Sequence, residues 1–121
     1  MLFVYFSKHT SNLGNFTATV TKSDNVASGT IGCGYYGFGL KRFRISSLKL
    51  ATALANDGSV IIANITDANA FPTSMYDCPI VGSSGFVGRL RFITDGSIVL
   101  YNLSGVQLST SVSLTMSCMF T

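Results

Sequence analysis

Neither tryptophan nor glutamate occurs in this chain, histidine occurs once, and all five acidic side chains are aspartates. Glutamate and lysine populate the outer faces of helices, so this composition, rich in Ser, Thr, Asn and Gly, argues against a helical protein and for β-structure. Charged residues make up 11% of the 121 positions, less than half the quarter or so that is usual. A chain of this length forms one domain, 1–121, and a small domain has a large surface to cover with polar groups. The excess apolar surface therefore needs a membrane, a buried ligand or partner subunits. No apolar run approaches the roughly 20 residues that span a bilayer as a helix, which argues against membrane insertion and makes oligomerisation the leading explanation.

Other scarcities narrow the chemistry. Cys33, Cys78 and Cys118 are odd in number and share no CxxC spacing, so they read as small buried hydrophobes and indicate neither a zinc site nor a disulfide framework. His9, the single imidazole, rules out multi-histidine metal centres and leaves little for a hydrolytic triad; a G-x-S-x-G elbow is also missing. Gly32, Gly34 and Gly37 match G-x-G-x-x-G, but no helical pattern follows and the βαβ context is lacking, so no nucleotide cofactor is expected. The net charge of +3 is too small to imply nucleic acid. The first six residues are apolar without a basic start, so no secretory signal is expected.

The alternation of side chains is informative. Val106, Leu108, Thr110, Val112, Leu114, Met116, Cys118 and Phe120 alternate with Gln107, Ser109, Ser111, Ser113, Thr115, Ser117 and Met119, which predicts one long strand with a single dry face. Asp57-Gly58 and Asp95-Gly96 sit between β-rich runs and predict two hairpins, pairing 47–55 with 59–65 and 86–94 with 97–103. Phe16, Ala18 and Val20 alternate with threonines before a turn at 22–25 and a strand from 26, predicting a further pair. Residues 67–85 hold both prolines and read as loop around a short strand. The total predicts an all-β fold: a jelly-roll-like antiparallel β-sandwich of about eight strands.

Two groups of residues carry candidate binding chemistry, and no catalytic or metal-ligating set stands out. Tyr35, Tyr36 and Phe38, beside glycines, can offer flat rings to sugar faces, with Asn69, Tyr76 and Asp77 from the long loop as partners, although aromatics of this kind also fill cores. Lys41, Arg42, Arg44 and Lys49 form the densest basic group, and Arg89 and Arg91 point to one face of their strand. Paired arginines hold phosphates or carboxylates through forked hydrogen bonds, yet they also serve as a solvated face or pair with aspartates. The sequons at Asn15, Asn64 and Asn102 are discounted because the latter two fall in predicted strands.

The later half, with Phe71-Pro72, the run from Gly88 to Ile98 containing Thr94-Asp95-Gly96, and the alternating stretch from Val112 to Phe120, resembles the C-terminal head domains of tailed-phage receptor-binding, baseplate and tail-fibre proteins. The resemblance covers about the last 60 residues and is a pattern of hairpins. It implies a small trimeric β-sandwich at the tail tip or fibre end of a virion, outside the cell, that binds a host-surface saccharide or wall polymer and is not an enzyme. A purely structural virion subunit without a ligand is the alternative. A glycan-degrading enzyme is a third reading, and it needs two nearby carboxylates, for which Asp24, Asp67 and Asp77 are thin material.

Overall fold

A computed structural model describes residues 16–36 and 39–121. Among them run nine strands: β1 (Phe16–Ala18), β2 (Val20–Lys22), β3 (Val26–Tyr35), β4 (Lys41–Leu50), β5 (Ser59–Ile65), β6 (Tyr76–Gly82), β7 (Val87–Phe92), β8 (Ser97–Asn102) and β9 (Leu114–Phe120). Short 3-10 turns at Ala68–Ala70 and Ser83–Gly85 punctuate the connections on either side of β6. All pairings are antiparallel, in the order β1-β3-β4-β9-β6-β7-β8-β5-β2. The outermost strands, β1 and β2, are separated in sequence only by Thr19. There the chain leaves β3 and joins β5, and the Thr19 carbonyl accepts the Thr66 N–H at 2.9 Å. The sheet is thus nearly closed, a barrel-like form of the all-β architecture expected from composition, and closure hides strand edges.

Strand alternation builds the interior. In β4, Phe43, Ile45, Leu48 and Leu50 point in, while Arg42, Arg44 and Lys49 point out. The change of phase between Ile45 and Leu48 is a bulge at Ser46-Ser47, where Ser47 takes a positive φ of 52°. Gly29 faces this bulge with φ +109°, and a Cβ there would stand 2.5 Å from the Leu48 Cα, so only glycine fits. Phe43 meets Phe92 edge-on at 5.1 Å, and Phe92 stacks on Phe120 at 4.9 Å. Leu90, Ile98, Leu100, Ile62, Ile80 and Leu114 complete a core shared by all sides. Cys33 and Cys78 are buried, Cys118 is half-buried, and all three are free thiols, in line with their reading as small hydrophobes.

Three sequence expectations need correction. The run 47–55 does not pair with 59–65: Asp57-Gly58 does turn the chain, but β5 pairs with β8 and β2, and β4 with β3 and β9. Alternation gives a strand a dry face without naming its neighbour, and here the turn hands the chain to the far side of the sheet. The strand expected over 106–120 is ordered as β9 only from Leu114. Upstream, Ser109 and Ser111 form a local serine turn and Val112 N–H bonds to the Ser109 carbonyl, because hydroxyls near the backbone compete with ladder bonds. Finally, β2 and β3 flank the predicted turn but do not form a hairpin.

One buried polar group ties the lower loops together. Asn102, at the end of β8, is 0% exposed. Its amide donates to the carbonyls of Leu54, Ala55 and Val106 at 3.0, 3.2 and 2.8 Å, and its oxygen accepts from Ser104 N–H and Oγ. This burial agrees with setting aside the sequon there.

Candidate functional site

The β7–β8 hairpin sets the geometry of the outer wall. Its turn is a three-residue loop: Gly96 N–H bonds to the Ile93 carbonyl, Ile93 N–H to the Ser97 carbonyl, and Gly96 has φ +93°. A type I turn closed by a left-handed glycine has this form. A Cβ on Gly96 would collide with the Ile65 carbonyl, so the turn also packs against β5. The resulting register places Arg89 opposite Tyr101 and Arg91 opposite Val99, while β6 sets Asp77 opposite Arg91 and Pro79 opposite Arg89.

Asp77, Arg89, Arg91 and Tyr101 therefore meet on one exterior patch. Arg91 grips Asp77 with both forks, Nε to Oδ1 at 2.8 Å and Nη2 to Oδ2 at 2.9 Å. That hydrogen-bonded guanidinium, aided by Arg89, holds the Asp77 carboxyl below the usual carboxylate range, and in return pushes the Arg91 pKa up. Arg89 is served less well. Its Nε lies 3.9 Å from Asp77 Oδ2 and is buried without a hydrogen-bond partner among the described residues, while its guanidinium carbon sits 4.6 Å from the centre of the Tyr101 ring. Two cations share one carboxylate, so the patch keeps a surplus positive charge with unused donors at Arg89. Apolar side chains surround it: Ile61, Val81 and Val87 are 44%, 60% and 50% exposed.

The remaining sequence candidates lie elsewhere. Tyr76 points opposite to its neighbour Asp77 and stacks on Phe120 at 6.1 Å, at the barrel end, 38% exposed. Tyr35 packs against the core and pairs in register with Lys41, which in turn pairs with Phe120, so Tyr35 and Tyr76 share that end. Tyr36 follows, its N–H bonded to the Leu40 carbonyl. Asn69 is exposed in the 3-10 turn after β5, its N–H held by Asp67 Oδ1. Phe38 and His9 lie outside the described residues. The sequence list thus divides into a barrel-end group (Tyr35, Tyr36, Asn69, Tyr76) and a wall group (Asp77, Arg89, Arg91). Tyr101 was missed. A two-residue Asp-Gly turn sets Arg89 against Asn102, and only the extra loop residue moves Tyr101 into place. The basic group at 41–49 also divides, since Lys41 turns inward at 4% exposure.

Among the described residues, no three His, Cys or acidic side chains gather to hold a metal ion, and no helix is long and apolar enough to cross a membrane. The five aspartates are dispersed: Asp67 caps the 3-10 turn, Asp95 accepts the Ser97 N–H, and Asp77 is bound to Arg91.

No family model matches the chain, and no curated protein matches it in sequence. Solved structures do. The head domain of the lactococcal phage bIL170, described in a study of a common fold for the receptor-binding domains of lactococcal phages, superposes with a TM-score of 0.71 at 12% identity, over 85% of this chain and 94% of that one. The chain thus has the fold of a phage receptor-binding head domain.

Proposed function

We propose that this domain attaches a phage to its host by binding a cell-surface saccharide or wall polymer, at the tail tip or fibre end, with three copies acting together. The observation that carries the reading is the fold likeness, which takes in nearly the whole of a phage head domain. The exterior patch supplies suitable chemistry: Arg89 has spare donors, the Asp77–Arg91 pair presents fixed polar edges, and Tyr101 gives a ring. Three weak sites on one particle hold a surface that one cannot. The exposed Leu103 and Val106, in the loop after β8 and outside the exterior patch, suit burial against sister copies, which answers the low charge of the chain.

The reading assigns no catalysis. Glycoside cleavage needs a protonated acid beside a second carboxylate. Asp77 is held ionised by Arg91, and its neighbours on the patch are cations. Multi-angle light scattering and a glycan array on the purified domain test the proposal together. A trimer retained by a subset of bacterial surface glycans is expected. A monomer at high concentration that binds none of them would refute it.

A further inference from the structure

We propose that the outer wall formed by β3, β4 and β9 is a second ligand site, which takes an oxyanion-bearing stretch of a polyhydroxylated polymer. The inference rests on the attachment reading and adds to it a surface and a charge class.

Alternation on β4 sends Arg42 and Arg44 outward. The register gives each a row: Gly34, Arg42 and Met119; then Gly32, Arg44 and Ser117. Thr30 lies opposite Ser46 in the next row, and Thr115 Oγ1 accepts the Ser47 N–H across the bulge. The result is a groove of about 550 Å³ lined by Thr30, Gly32, Arg44, Ser46, Thr115 and Ser117. It holds one guanidinium, hydroxyls on both sides and a glycine.

Two observations set this wall apart from an ordinary solvated face. The first is charge. Cations on a sheet surface are commonly balanced by cross-strand acids. Here no aspartate shares the wall: Asp24, Asp57 and Asp95 lie in turns, Asp67 caps a 3-10 turn, and Asp77 is on β6. Neither Arg42 nor Arg44 makes an ion pair among the described residues, whereas Arg91 on the other wall does.

The second is Gly32. Glycine weakens a strand interior and is kept where a bulge, a bend or a close approach demands it. Gly29 has such a reason, but among the described residues a Cβ on Gly32 would meet nothing within 4 Å. Packing does not require glycine there; its bareness opens the groove beside Arg44. Residues two apart on a strand face the same side about 7 Å apart. Arg42 and Arg44 therefore offer two forks in line along β4, with hydroxyls to bond neighbouring polyol groups. Lys49 extends the column beyond the bulge.

The test measures binding of the intact domain to a glycerol phosphate polymer, to polygalacturonate and to neutral dextran of matched length, at low and high salt. Wild type should bind one or both anionic polymers, more weakly at high salt, and should not bind dextran; the two anionic arms distinguish phosphate from carboxylate. Arg42→Ala and Arg44→Ala should each weaken binding about tenfold. Gly32→Val, a better strand former with free space for its side chain, should keep or raise the melting temperature yet weaken binding. Unchanged binding in the Arg42→Ala/Arg44→Ala double variant and in Gly32→Val overturns the proposal. So does a loss confined to Arg89→Ala, or single-stranded DNA binding as tightly as the anionic polymers. Adsorption to cells separates this inference from the attachment reading. If the double variant adsorbs like wild type, the groove falls and attachment stands; if no cell is bound but arginine-dependent polymer binding persists, the groove stands alone.

Discussion

Replacing Asn102 by alanine removes the side chain that links the 54–55 segment, the end of β8 and the 104–106 loop. Its five hydrogen bonds do not all count equally. The Leu54 carbonyl keeps a bond from Leu108 N–H, the Ala55 carbonyl keeps one from Gly58 N–H, and the Val106 carbonyl keeps Ser104 Oγ. Ser104 N–H, by contrast, has only the Asn102 oxygen as partner among the described residues. Several bonds of about 1 kcal/mol each, plus one stranded donor at about 1–3 kcal/mol, give a loss of about 3–5 kcal/mol. At about 4 °C per kcal/mol for a chain this size, the melting temperature should fall by about 12–20 °C in a calorimetric scan. Asn102→Asp sharpens the test. It preserves shape but sets a carboxylate against three carbonyl oxygens, which disfavours the charged form and raises its pKa in the fold. A group raised on folding is least costly below its unfolded pKa, and its penalty grows as pH rises through the folded value. The deficit of Asn102→Asp relative to wild type should therefore be smaller at pH 4 than at pH 7. Two variants that melt within a degree or two of wild type, with no pH dependence, would refute the reasoning.

Gly29→Ala should destabilise by more than about 2 kcal/mol in urea titration, since it combines a left-handed φ with contact against the backbone of Leu48; a neutral result would contradict the bulge geometry. Burial, with Asp67 nearby, pushes the Cys33 thiol from an ordinary value near 9 up to about 11, and burial also raises Cys118. Their alkylation at pH 8 should be slow until the chain unfolds. The stability carried by the neutral Cys33 thiol is complete below pH 9 and drains as pH rises through 11, which alkaline unfolding curves will show. Asp77 has the opposite sign. Its depressed pKa supports the fold above the unfolded carboxylate value and fades as pH falls through the folded one, so Asp77→Asn should cost a little at pH 7 and progressively less as the pH is lowered. Half-exposed as the pair is, that cost should vanish in high salt.

Much of this fold can be read from residue order, and the unreadable parts have identifiable causes. β7, β8 and β9 follow from alternation because each has one wet face, and the Asp95-Gly96 turn marks its hairpin; β4, at Lys41–Leu50, overlaps the strand expected over 47–55 only at its end. Strand partners are another matter: β5 is as apolar toward β8 as it would be toward β4, and only the assembled core decides. The same limit hid Tyr101, since one additional loop residue shifts the register of every pair along β7 and β8. Asn102 resembles any sequon in a strand until three chain segments converge on its amide. Arg89 and Arg91 are legible because i, i+2 spacing on a strand fixes a common face, whereas Asp77 reads as a loop partner of the aromatics and joins the arginines only through the β6–β7 register. Tyr76 parted from Asp77 by that rule, as adjacent residues must.

The central claim is host attachment, and it is met most directly by incubating the fluorescently labelled domain with intact bacteria of several surface types, before and after chemical stripping of wall polysaccharide. Saturable binding to a subset of strains, abolished by stripping, is the predicted result. Uniform failure to bind, or binding indifferent to stripping, contradicts the account.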